Sequence, residues 1–134
     1  MPRVLRMRRG EMKTITRRFL ALTLGAALVL PLSRQAAAHA ILLDSAPAIG
    51  GHVKAGKVGF NLRYNSLIDQ RRSRLTLTLP DKTTKVLPIA QNDAQDMLMS
   101  QAELAPGAYS LRWQVLAVDG HITRGDIGFT VEGN

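Results

Sequence analysis

From residue 58 onward the chain alternates apolar and polar positions with a period of two, the pattern of half-buried strands. Val58, Phe60, Leu62 and Tyr64 alternate with Gly59, Asn61 and Arg63, so the first set lines one face of a strand and the second the other. Leu75, Leu77 and Leu79 repeat this against Thr76 and Thr78. Tyr109, Leu111, Trp113 and Val115 alternate with Ser110, Arg112 and Gln114, and Ile127, Phe129 and Val131 with Gly128 and Thr130. Trp113 is the natural centre of the core. Turn signals fall between these runs, at Pro47 to Gly51, Pro80-Asp81, Gln91-Asn92-Asp93 and Pro106-Gly107. About seven short strands at this spacing predict an all-β sandwich or barrel. Asp93 to Leu104 can also be written as a modest helical stripe through Ala94, Met97, Leu98 and Leu104, but a strand through Met97 to Ser100 fits its neighbours better. No linker, internal repeat or low-complexity tract interrupts the pattern.

The first 38 residues follow a different rule. Arg3, Arg6, Arg8, Arg9, Lys13, Arg17 and Arg18 are opposed only by Glu11, an uncharged run from Phe19 to Ser33 follows, and Ala36-Ala37-Ala38 closes the segment. This is the layout of a secretory signal, and the apolar run falls short of the roughly 20 residues of a transmembrane helix. Small residues at 36 and 38 predict cleavage after Ala38, leaving 39–134 as the mature domain with His39 at its new amino terminus. Thr16-Arg17-Arg18-Phe19-Leu20 resembles a twin-arginine export signal, and Met12-Lys13 would make a more typical translation start than Met1.

Export changes the meaning of the charge. The whole chain carries a formal net charge of +8, which would suggest nucleic acid or an anionic membrane. Removing residues 1–38 takes away eight of the 18 basic residues and one of the ten acidic ones, leaving ten against nine. The nucleic-acid reading loses its support. The remaining basic cluster, Arg71, Arg72 and Arg74, lacks interleaved aromatics and reads as a solvated loop. With no cysteine, the exported domain must hold itself together by packing alone.

Candidate chemistry centres on two of the three histidines. An N-terminal histidine closes a chelate ring through its α-amine and ring Nδ1, and that amine loses its proton more readily than a lysine's. His39 would be such a residue after cleavage. Asp119 and His121 in Val118-Asp119-Gly120-His121 lie two apart, so on extended backbone they project to one side, with Gly120 allowing a tight bend. A nitrogen and oxygen donor set without thiolate suits a tetragonal Cu(II) site better than a structural zinc site. The residues equally allow a plainer reading, in which Asp119-Gly120 is a hairpin turn and His121 an exposed turn residue. His52 reads as a surface residue.

Taken in order, His39-Ala40, Ser45-Ala46-Pro47-Ala48 with Gly50, Pro106-Gly107-Ala108-Tyr109, Trp113, Asp119-Gly120-His121 and Gly128-Phe129-Thr130-Val131 make a pattern that resembles the copper-resistance protein C (CopC) family. The resemblance runs along nearly the whole mature domain. It implies a small periplasmic Greek-key β-barrel of immunoglobulin-like type that binds one Cu(II) through the amine and ring of the first histidine with the Asp and His of the Asp-Gly-His motif, here His39, Asp119 and His121. Some members carry a second, methionine-rich site for Cu(I). Only Met97 and Met99 stand in that region here, with no histidine near, and they read as core packing.

The expected function is therefore a monomeric, non-catalytic copper carrier or buffer that exchanges Cu(II) with an inner-membrane copper transporter. A redox enzyme built on a histidine brace is the competing reading. Its sugar-stacking candidates Tyr64, Tyr109 and Trp113 all fall on core-facing positions. The third reading is an immunoglobulin-like structural module with incidental histidines.

Overall fold

The computed structural model describes residues 39–134. The export segment expected over residues 1–38, with its arginine pair and cleavage site, lies outside the described residues. These form eight strands: β1 (Leu42–Ala46), β2 (Gly51–Lys54), β3 (Gly56–Tyr64), β4 (Arg74–Thr78), β5 (Thr84–Leu87), β6 (Met97–Leu104), β7 (Gly107–Leu116) and β8 (Ile122–Glu132). They pack as two sheets, a three-stranded one in the order β1-β3-β6 and a five-stranded one in the order β2-β8-β7-β4-β5. The expected all-β sandwich is the observed architecture, built as two separate sheets rather than a closed barrel.

Alternation along each strand decides what lies between the sheets. Phe60, Leu62 and Tyr64 of β3 and Leu98 of β6 face Leu75 and Leu77 of β4, Leu111, Trp113 and Val115 of β7, and Ile127, Phe129 and Val131 of β8, all buried. Full burial of each such aliphatic side chain contributes roughly 1.5–3 kcal/mol. Two edge-to-face aromatic pairs cross the interface, Tyr64 on Trp113 with ring centroids 5.4 Å apart and Phe60 on Phe129 at 5.8 Å. Trp113 thus sits where its pattern placed it.

Several expectations are corrected. The turn after Pro47 closes with the Gly51 N–H donating to the Ala48 carbonyl at 2.8 Å, and the chain then forms an additional strand, β2. It pairs in parallel with β8, His52 opposite Thr130, whereas the other strand pairs are antiparallel. Four residues with a single alternation are too short to read as a strand, and it is the exposed edge of β8 that recruits them. The strand reading of Met97 to Ser100 holds and the strand runs on to Leu104, in place of the alternative helical stripe. Met97 and Met99 are not core: they alternate with the buried Leu98 and Ser100 and lie half-buried on the outer face, opposite Arg63 and Asn61 of β3. Arg71 and Arg72 occupy a 3₁₀ turn, Gln70–Arg72, whose free N–H groups donate to the Asp69 carboxylate, whereas Arg74 already begins β4.

Candidate metal centre

The longest hairpin, β7–β8, runs in unbroken register from Gly107 opposite Val131 to Leu116 opposite Ile122. Its five-residue connection carries the Asp-Gly-His motif. The Ala117 N–H donates to the His121 carbonyl at 2.8 Å and the Gly120 N–H to the Ala117 carbonyl at 2.9 Å, closing a tight turn in which Gly120 has φ +90°. That conformation favours glycine because an L side chain there meets its own backbone. The turn reading of this dipeptide is therefore correct as to backbone.

It does not leave the side chains idle. One Asp119 oxygen accepts the His121 backbone N–H at 3.0 Å, and the other lies 3.0 Å from His121 Nδ1. Those hydrogen bonds, the backbone one first, hold the Asp119 carboxyl below the usual carboxylate range, with the His39 ring adding a smaller attraction. Asp119 and His121 meet because the turn folds one back on the other, not because extended backbone projects them to one side.

The other half of the centre comes from the far end of the described chain. Ala40 is buried. Its carbonyl accepts the Thr123 hydroxyl at 2.8 Å, and the next N–H, that of Ile41, donates to Asn65 Oδ1 at 2.8 Å. Asn65 returns a bond from its own N–H to the Ile41 carbonyl at 3.0 Å. Held this way, exposed His39 brings its ring edge-on to His121, with centroids 4.9 Å apart and planes at 75°. Residues separated by more than eighty positions thus share one rim. Among the described residues no three His, Cys, Asp or Glu side chains stand as a ready-made metal set. His39, Asp119 and His121 meet as two pairs that share His121, and a fourth expected donor, the backbone nitrogen of His39, is an amide while Ala38 precedes it.

Of the residues singled out from the sequence, the structure sets the His39 ring against that of His121 and Asp119 against His121. Sequence reasoning gave no signal for Asn65 or Thr123, an ordinary loop asparagine and strand threonine whose partners are fixed only by the fold. His52 stands apart on the edge strand β2, its Nδ1 2.8 Å from the Glu132 carboxylate and both side chains well exposed.

Comparison with known proteins settles the relationship. Residues 42–132 match the CopC domain. The chain belongs to the CopC family. The CopC crystal structure from Methylosinus trichosporium OB3b superposes with a TM-score of 0.64 at 29% identity, covering 72% of this chain and 96% of that one. The structure of PcoC, a methionine-rich copper resistance protein of Escherichia coli, has the same fold at a TM-score of 0.59 and 22% identity, covering 71% of this chain and all of its own. Protein YobA of Escherichia coli K12 is 32% identical over 99 residues, 71% of this chain and 80% of that protein. CopC membership ties the chain to copper in general terms and agrees with a periplasmic setting.

Proposed function

We propose that the mature protein, beginning at His39, is a periplasmic carrier or buffer holding one Cu(II) per chain. The amine and ring of His39 and the ring of His121 supply nitrogen, and Asp119 supplies the carboxylate. The observation that carries this reading is the meeting of the His39 and His121 rings at 4.9 Å on one exposed rim. An exposed site of this composition suits taking up an ion and passing it on, and an inner-membrane copper transporter is the partner that such a carrier would serve. The role needs no catalysis. The aromatic side chains on which a sugar substrate would stack, Tyr64, Tyr109 and Trp113, are buried in the sandwich.

Intact mass of the exported protein should place its first residue at His39. The protein starting there should take up one equivalent of Cu(II) and give a tetragonal electron paramagnetic resonance spectrum with nitrogen couplings. One extra residue ahead of His39 turns the amine into an amide and should weaken binding by at least about a hundredfold, since one nitrogen donor and its chelate ring are lost. Equal affinity with and without the extra residue would remove the terminus from the ligand set.

A further inference from the structure

We propose that Thr123 and Asn65 are positioning residues that set the terminal amine and ring of His39 for Cu(II), by fixing the single peptide group between Ala40 and Ile41. The inference rests on the copper reading above and adds to it the device that orders the terminus.

A chain terminus ordinarily frays, because no neighbour on one side restrains it. A ligand made of the first residue's amine and ring is therefore only as well placed as the peptide groups that follow it. Here the second of them, between Ala40 and Ile41, is held at both ends. Its carbonyl, on Ala40, accepts the Thr123 hydroxyl at 2.8 Å, and its N–H, on Ile41, donates to Asn65 Oδ1 at 2.8 Å. The two side chains come from different sheets: Thr123 lies on β8 and Asn65 directly follows β3. The peptide plane therefore bridges the top of the sandwich. Asn65 also closes the Ile41 carbonyl with its own N–H, and the Ala40 methyl is buried beneath, so the plane can neither slide nor turn over without losing these bonds.

Thr123 has a second geometric property. It follows His121 by two residues in the β8 arm, so the strand end that presents one imidazole also anchors the residue next to the other. Any shift of that arm moves both histidines together. Pre-organisation of this kind contributes to affinity by removing ordering costs from the binding step.

The test uses the protein beginning at His39 and compares wild type, Thr123→Val, Thr123→Ser, Asn65→Ala and the Thr123→Val/Asn65→Ala pair. Cu(II) affinity is measured by competition with a chelator, alongside the paramagnetic resonance spectrum, the melting midpoint and, without metal, amide hydrogen exchange at Ile41. Loss of one hydrogen bond should lower affinity about threefold to tenfold in Thr123→Val, with Thr123→Ser restoring it. The double variant should lose more and show a broadened or altered spectrum while still melting cooperatively. Exchange at Ile41 should quicken in Asn65→Ala.

Wild-type affinity and spectrum in the double variant, or no rescue by serine, would overturn the proposal. If wild type itself binds no Cu(II), the carrier reading fails. The clamp is then judged by Ile41 exchange in the metal-free protein: faster exchange in Asn65→Ala upholds it, and unchanged exchange refutes it.

Discussion

Gly125 shows how one residue type can be dictated by a neighbour across a hairpin. It sits opposite Trp113, and a methyl group placed on it would stand 2.4 Å from the indole Cζ2. Trp113 cannot retreat, because its other side meets Tyr64. Gly125→Ala should therefore destabilise the domain by about 1–3 kcal/mol, the usual cost of overpacking a filled core. A fall of several degrees in melting midpoint, with a change in Trp113 fluorescence, would register it. Burial likewise pushes the Tyr64 phenol above its ordinary pKa, keeping it neutral.

At the scale of elements, the β7–β8 connection is the piece that turns a strand pattern into a candidate metal centre. Gly120 has open space around its missing side chain, so φ alone demands glycine there. Gly120→Ala should cost about 1 kcal/mol of stability, from the left-handed backbone. Because the same turn sets His121 against Asp119, the variant should also lose Cu(II) affinity out of proportion to its modest loss of stability. Titration beside thermal melting separates the two effects. The Arg112–Asp126 pair farther down the hairpin is bidentate, with both contacts at 2.9 Å, but it is exposed and contributes mainly to register.

The described domain assembles its rim from residues 39–41, the loop after β3 and the β7–β8 turn. Metal binding to the proposed ligand set would release protons, so Cu(II) affinity should fall as the pH drops from 8 to about 5. Asp119 behaves oppositely in order. Its carboxyl is held below the ordinary range, so its ionised form, and whatever stability its bonds to His121 give, persists above the ordinary carboxylate pKa and is lost only as pH falls through the lowered value. Cu(II) affinity and the melting midpoint followed together from pH 8 downward should therefore show binding fall before the Asp119 contribution to stability is lost. A flat profile between pH 8 and 5 would argue against amine and imidazole ligation.

The core was legible in the sequence because strand alternation is a local property: Val58 to Tyr64, Leu75 and Leu77, Tyr109 to Val115 and Ile127 to Val131 each report their buried face without reference to any partner. The three candidate ligands stand out in the sequence because unusual chemistry concentrates in His39 and Asp-Gly-His. Strand β2 was not, since its four residues are held by parallel pairing to the edge of β8. Met97 and Met99 were misjudged because alternation gives a residue's face and says nothing of whether another sheet covers it. Asn65 and Thr123 carry no local signal at all. Their bonds to one peptide group join positions separated by 24 and 83 residues, and only two packed sheets bring such groups within hydrogen-bond reach.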